Sequence, residues 1–371
     1  MLDFLLEDAP EWALDLGDTR GAARLSDHSV EADLSRVASL TDALGSLDEI
    51  DGDLIPEGDR VDLEVLRARV SADLWHTAEL RPHTWDPLLH SPGGALHTLL
   101  ERDDLPLPER LSAVAARCAA LPDYLATARA RLTEGPGMPR AHVETALAQA
   151  EGAQAMLVSQ VPALASLEPS ASSKMEPARL AALAAVEEHV GWLRARLEGA
   201  TADPRLGERA FAAQLWYTLD SELSPEALLV RAESDLIATE EEIAEAAAEY
   251  RDAPRRPGQV AEVLAEIAEE NVLGPDTVHD ACAEALAHLD RRVRELDIVT
   301  VHDDPVRVVT MPESRRGVRV AYCDAPGPLD PRAGERPTLI AVSPAPADWT
   351  ARRRESFFRE YNASMLRDLM V

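Results

Sequence analysis

Four segments near the end of the chain decide its fold class: VRVVTM at residues 306–311, VRVAYC at 318–323, TLIAVS at 338–343 and DWTARRRESFFREYNASMLRDLMV at 348–371. The first three are rich in β-branched residues, which predicts strands. In the fourth, the large apolar residues at i+4 spacing are Phe357, Tyr361, Met365 and Leu369. This spacing predicts one helix with a broad apolar face. The end of the chain is therefore predicted to be a small β-sheet followed by a long helix.

The sequence before these segments is typical of packed helices. Hydrophobic residues make up 46% of the 371 residues but aromatic residues only 4%, which favours helix packing through small side chains. The apolar periodicity predicts ten helices, at residues 29–47, 60–80, 106–120, 121–132, 139–164, 176–197, 203–223, 225–252, 259–272 and 275–296. The first 28 residues are predicted to be irregular, and the serine- and proline-rich segment 168–177 is predicted to be a surface loop.

These elements predict a mainly α protein, with an elongated helical body and a small β-sheet near the C-terminus. The length exceeds what one compact core usually accommodates. We therefore predict a helical body at residues 1–296, a small sheet region at 297–346 and a closing helix at 347–371.

The charge and the cysteines restrict the partners and the compartment. The net charge is −30, and an acidic surface repels phosphate backbones and anionic lipids, so neither nucleic acid nor a membrane is an expected partner. Three distant cysteines without a C-x-x-C pair fit a reducing compartment. The N-terminus is acidic where a secretory signal peptide is basic. We therefore expect a cytoplasmic protein.

Histidines are the first candidates for a metal or a general base. His76, His83, His90 and His97 recur every seven residues, a spacing that would align them along one unbroken helix. Prolines and a Gly-Gly pair between them exclude that helix. We therefore interpret them as ordinary structural or surface histidines, and we predict no metal ligand among them.

Other polar groups are weaker candidates. His302 and Asp303 could bind a cation, although acids before a proline are more typical of a solvated turn. The acidic run Glu240, Glu241 and Glu242 has no histidine near it and predicts a solvated helix face. The sequence contains no H-E-x-x-H, no G-x-S-x-G and no P-loop. No catalytic residue is predicted from the residues alone.

Three motifs in a fixed order resemble a known family. They are MPESRRGVRVAYCDAPGPLDP at 311–331, RPTLIAVSPAPADW at 336–349 and FFREYNASMLRDLMV at 357–371. Together they resemble the bacterial family called "domain of unknown function 885", whose members look like helical zinc metallopeptidases of the gluzincin kind. Residues 61–87 and 206–250 are also similar to the family's N-terminal region.

The resemblance implies a function that these residues do not complete. In that family, the segment matching 358–371 leads into H-E-A-M-P-G-H, a zinc helix, and a third ligand, a glutamate, lies further downstream. None of these groups maps onto a residue here, so we predict no catalytic residue, no metal ligand and no cofactor in this chain, with zinc expected for the full-length family member. A peptide substrate is implied, and a strand beside the zinc helix would offer its edge to that peptide. The candidate residues are Ile340, Ala341, Val342 and Ser343, and a purely structural strand is the alternative.

We therefore expect the chain to be the N-terminal and central part of a zinc-metallopeptidase-like protein. It would form the wall of the substrate cleft, and it would bind no catalytic zinc and be inactive as this chain. The alternative is a non-catalytic helical binding or scaffold module. A third possibility is an unrelated enzyme that uses His302 and Asp303. The oligomeric state is left open.

Overall fold

The structure is a computed structural model that describes residues 2–103, 105–219, 223–311, 320–347 and 349–369, without the side chains of 170–174 and 367–369. In this part of the chain the helices are α1 Leu2–Asp8, α2 Pro10–Asp15, α3 Val30–Asp48, α4 Glu57–Trp75, α5 Gly94–Glu101, α6 Leu107–Glu134, α7 Arg140–Ala165, α8 Pro169–Arg196, α9 Glu208–Leu219, α10 Pro225–Tyr250, α11 Gln259–Glu270, α12 Val278–Leu296, α13 Ala351–Glu360 and α14 Ala363–Leu369. The strands are β1 Val306–Thr310, β2 Ala321–Asp324 and β3 Thr338–Val342. The predicted mainly α protein with a small sheet near the C-terminus is confirmed.

Several predicted boundaries are wrong, because tertiary packing overrides local breakers. Part of the N-terminal segment predicted to be irregular, residues 1–28, forms α1 and α2. Of the segment 168–177, predicted to be a loop, residues 169–177 are the first part of α8, and Met175 is buried in the core. The two helices predicted at 106–120 and 121–132 are the single helix α6, which continues through Pro122. Buried leucines on both sides of that proline hold the two halves in one packed helix.

The prediction of one long closing helix from residue 348 is also wrong, because the helix is interrupted at Asn362. The Asn362 side chain accepts hydrogen bonds from the backbone N–H groups of Ser364 (3.0 Å) and Met365 (3.2 Å), which caps α14. Its Nδ2 donates to the Arg359 carbonyl oxygen at 3.0 Å. One asparagine thus satisfies backbone groups on both sides of the break.

The chain forms two compact units, Met1–Leu228 and Leu229–Val371. In the first unit, α8 packs against both α6 and α7. Their facing residues form one large apolar core that includes Leu121, Leu125, Leu157 and Leu193. Burying such side chains supplies the main stabilisation of a helical body.

The second unit contains a three-stranded sheet in the order β1-β3-β2. β1 pairs parallel to β3, from Val306 opposite Thr338 to Thr310 opposite Val342, and β2 pairs antiparallel to β3. The sheet shares a core with α12, α13 and α14 through Val278, Cys282, Val342, Phe357, Phe358 and Leu366. The predicted apolar face of the closing helix is therefore largely covered. Met365 alone among its described members is exposed, and the Leu369 side chain, together with residues 370 and 371, lies outside the described residues.

Within the described ranges, no helix is both long enough and apolar enough to span a membrane.

Candidate metal centre

Three histidines of the first unit meet at one point. His28, His83 and His90 each offer a ring nitrogen, and these nitrogens lie within 4.8 Å of one another. The rings of His28 and His83 are stacked, with their centroids 4.3 Å apart. The His90 ring stands edge-on to His28 at 5.1 Å and is tilted to His83 at 5.6 Å. We call these three residues the histidine cluster.

Each member is positioned by an element end or a short turn. His28 directly precedes Ser29, whose hydroxyl accepts from the Ala32 N–H at 3.1 Å and caps α3. His83 lies in the 3-10 turn Pro82–Thr84, and His90 is the last residue of the 3-10 turn Pro87–His90. The cluster therefore joins the N-terminus of α3 to the connection between α4 and α5.

Local hydrogen bonds fix the first of these turns. After α4, one π-helical turn spans His76–Leu80, and Arg81 then takes a left-handed conformation with φ 48°. The Arg81 N–H donates to the His76 carbonyl oxygen at 2.8 Å, and the Trp85 indole N–H donates to that of Leu80 at 3.1 Å. These bonds reverse the chain and direct residues 82–84 back onto the helical body.

Asp86 fixes the second turn. Its side chain accepts from the Leu88 N–H at 3.0 Å, and the Nδ1 of His142 on α7 lies 3.1 Å from the same oxygen. The turn that ends at His90 is thereby attached to α7.

A glycine brings the His83 turn against α6. Gly135 follows the last residue of α6, and a Cβ built on it would lie 1.7 Å from the Thr84 carbonyl oxygen. No side chain fits in that space, so glycine is required for the close approach of the two backbones.

The cluster is neutral at physiological pH because it is buried. Burial lowers the pKa of His28 to about 2 and that of His83 to about 3, and it also places the pKa of His90 below its ordinary value. The neighbouring imidazoles lower the pKa of His28 and His83 further, since each would repel a second positive charge.

The hydrogen bond of His90 determines which nitrogen carries its proton. His90 Nε2 lies 3.0 Å from the His83 carbonyl oxygen. A carbonyl oxygen only accepts, so Nε2 is the donor and Nδ1 of the neutral ring bears the lone pair. The Nδ1 atoms of His28, His83 and His90 are all buried and make no hydrogen bond to the described residues.

Ionic groups surround the cluster in balanced numbers. Arg36 donates to Asp8 at 2.6 Å and 3.0 Å and to Asp33 at 2.9 Å. The buried Arg131 of α6 contacts the other oxygen of Asp33. Two guanidinium groups are thus matched by two carboxylates. Buried neutral imidazoles with free lone pairs, close to a balanced set of charges, are a suitable donor set for a transition-metal ion.

Sequence reasoning found only part of this cluster. The prediction that the seven-residue spacing would not align histidines along a helix is confirmed, yet two 3-10 turns bring His83 and His90 together. His76 and His97 are not members of the cluster; the Nε2 of His76 is 3.0 Å from the Gln214 side-chain oxygen. His28 was missed, because no spacing or motif connects it to the other two.

The residues proposed for peptide binding occupy the centre of the sheet. Residues 340–342 lie in β3, whose two edges are already paired with β1 and β2. Beyond the strand, the Ser343 N–H donates to the Val320 carbonyl oxygen at 2.8 Å. The expectation that this strand offers its edge to a peptide is therefore wrong, since both rows of its backbone groups are used. Contact of these four residues with a substrate through side chains stays a prediction.

The weaker polar candidates lie on the surface. His302 and Asp303 are exposed, and Asp303 forms an ion pair with Arg294 at 3.0 Å. Glu240, Glu241 and Glu242 are exposed on α10. Both segments have the solvated character that their sequences predict.

Comparison with known proteins identifies the family. The model of a family described as "Bacterial protein of unknown function (DUF885)" matches residues 10–371. The chain belongs to this family. A solved structure described as "a putative lipoprotein of unknown function from Shewanella oneidensis" superposes with a TM-score of 0.73 at 20% identity, over 99% of this chain and 67% of that chain. At this identity the likeness shows the fold. No curated protein matches.

Proposed function

We propose that this DUF885 chain is the N-terminal and central part of a zinc-metallopeptidase-like protein, in which it forms the wall of a peptide-binding cleft. The observation that carries the proposal is the order of motifs between residues 311 and 371, which resembles the region that precedes a zinc helix in gluzincin-like relatives. The family match over residues 10–371 is consistent with this resemblance.

The packing of the second unit supports the proposal. Leu366 of α14 belongs to the same core as Val342 of β3 and Val278 of α12. A segment that continues from α14 would therefore begin beside the sheet, where a metallopeptidase cleft needs its zinc helix. A peptide would pair with one of the outer strands of the described sheet, β1 or β2, and β3 would support them from the centre.

The chemistry of hydrolysis needs groups that these residues do not supply. A zincin site takes two imidazoles one helical turn apart and a carboxylate, and a glutamate of the motif acts as general base. The 371 residues contain no H-E-x-x-H. The histidine cluster does not replace this site, because no carboxylate that could act as general base belongs to it among the described residues.

We therefore predict that the 371-residue chain hydrolyses no peptide. The measurement is cleavage of a mixed fluorogenic peptide library by the purified chain, with and without added Zn²⁺. The matched comparison is a polypeptide that continues through the codons following Val371. If those codons encode H-E-x-x-H, the longer polypeptide should cleave peptides and should lose activity when the glutamate of the motif is changed to glutamine.

Two outcomes would overturn the proposal. One is hydrolysis by the 371-residue chain alone. The other is a coding sequence without a zinc motif after Val371, which would favour the non-catalytic helical binding or scaffold module.

Because the surface is acidic, with a net charge of −30, we also propose that the protein binds neither nucleic acid nor anionic lipid and acts in the cytoplasm.

A further inference from the structure

We propose that His28, His83 and His90 bind one first-row transition-metal ion, with Zn²⁺ the best fit. This ion links the N-terminus of α3 to the two turns that follow α4. The site differs from the zinc helix invoked above and does not depend on the proposed function. It lies within the first unit, Met1–Leu228.

The first support is the position of the lone pairs. His90 Nε2 donates to the His83 carbonyl oxygen at 3.0 Å, so Nδ1 of His90 is an acceptor. A metal-bound histidine usually has this arrangement, in which one ring nitrogen donates to a carbonyl and the other binds the ion. The three Nδ1 atoms are buried without a hydrogen-bond partner in the described chain, so each is available to bind an ion.

The second support is the type of donor. Three imidazole nitrogens without a carboxylate ligand suit Zn²⁺, Co²⁺, Ni²⁺ or Cu²⁺ and are unsuited to Mg²⁺ or Ca²⁺, which take oxygen ligands. Three protein ligands leave the fourth tetrahedral position to water.

The third consideration is charge. Arg36 and Arg131 are close enough to repel a cation, and both lower the pKa of His28 and His83. Their charges are offset by Asp8 and Asp33, with which they form ion pairs. Because each guanidinium is paired with a carboxylate, the net charge beside the cluster is close to zero, and the surroundings tolerate a divalent ion.

Binding requires a small closure of the cluster. Nitrogens bound tetrahedrally at about 2.1 Å from zinc are about 3.4 Å apart, whereas here they lie within 4.8 Å of one another. Rotation about the side-chain torsions of the histidines would bring the nitrogens together, since hydrogen bonds hold the turn that carries His83. The ion would then order the connection between α4 and α5.

The test uses the full 371-residue chain without an affinity tag, stripped of metal by a chelator and titrated with Zn²⁺ alone. We expect uptake of one equivalent and a higher melting temperature with Zn²⁺. His28→Gln and His83→Gln should each weaken uptake at least tenfold and abolish the rise in melting temperature. The control is His76→Gln, because His76 is a half-buried histidine of the same unit whose ring hydrogen bonds to Gln214 outside the cluster.

Folding of each variant is checked by far-ultraviolet circular dichroism in the metal-free state. Co²⁺ added to the unaltered chain gives an independent readout, since nitrogen-bound tetrahedral Co²⁺ has intense visible bands. The proposal is overturned if the unaltered chain takes up neither Zn²⁺ nor Co²⁺, which would make the cluster a set of stacked structural histidines. His76→Gln should take up Zn²⁺ as well as the unaltered chain does. If the two cluster variants also took up Zn²⁺ equally well, the ion would bind elsewhere, and the proposed site would be refuted.

Discussion

Gly135 is the residue at which the end of α6 meets the turn that carries His83. Its backbone approaches the Thr84 carbonyl oxygen so closely that a Cβ would lie 1.7 Å from that oxygen. We predict that Gly135→Ala lowers the free energy of unfolding by about 3 kcal/mol, because one of two packed backbones must move. Chemical denaturation followed by circular dichroism would measure the loss.

Gly191 provides the matched control for this substitution. It lies on the exposed face of α8, and a Cβ there meets nothing within 4 Å. Gly191→Ala should raise the free energy of unfolding by about 0.5–1 kcal/mol, because alanine has the higher helix propensity. If both substitutions shifted stability in the same direction, the close approach at Thr84 would not be the reason that residue 135 is glycine.

At the scale of elements, the break between α13 and α14 depends on Asn362. Its side chain caps α14 and donates to the last turn of α13, and it is buried. We predict that Asn362→Ala lowers the free energy of unfolding of the second unit by about 1–2 kcal/mol, through the loss of a helix cap and of a second hydrogen bond. Hydrogen exchange of peptides from the second unit, measured against urea concentration, reports this loss.

Asn362→Asp separates the two roles of that side chain. Aspartate retains an oxygen that accepts from the N–H groups of Ser364 and Met365 but cannot donate to the Arg359 carbonyl oxygen. The free energy of unfolding of Asn362→Asp should therefore lie between those of the unaltered chain and Asn362→Ala. Met365→Ala is the control, because that side chain is exposed and its loss should cost less than about 0.5 kcal/mol. A cost for Met365→Ala equal to that of Asn362→Ala would contradict the capping role.

At the scale of the whole molecule, the buried histidines make the first unit sensitive to acid. Burial lowers the pKa of His189 to about 4, in addition to the lowered values of the cluster, about 3 for His83 and about 2 for His28. In the unfolded chain these groups take up protons below about pH 6.5, whereas in the folded unit they remain neutral until much lower pH. Stability is therefore highest above pH 6.5 and falls as the pH decreases.

We predict that the denaturation midpoint of the first unit falls between pH 6.5 and pH 5, where most carboxylates are still ionised. Each buried histidine contributes up to about 1.4 kcal/mol per pH unit. Trp349→Phe leaves tryptophan only in the first unit, so its fluorescence follows that unit alone. His189→Gln should make the dependence shallower, and a midpoint that stays constant over this range would show that the histidines titrate normally in the folded protein.

The sequence by itself determined the local structure and the absence of a zincin motif. Helical periodicity predicted α3 and α7 closely, because it reflects which face of a helix is buried, and the β-branched runs predicted the three strands that the structure describes. The acidic helix face of α10 was predicted for the same reason. Even the seven-residue spacing of His83 and His90 was visible, although nothing local showed what the prolines between them would do.

Only the tertiary structure decided the rest. The place of β3 at the centre of the sheet depends on pairing between distant segments, and the helical course of residues 169–177 depends on the core that buries Met175. The histidine cluster joins His28 to two residues far along the chain, through the close approach at Gly135 and the turns around Asp86. No sequence period connects such groups, because their distance is set by the packing of whole helices and not by the repeat of one.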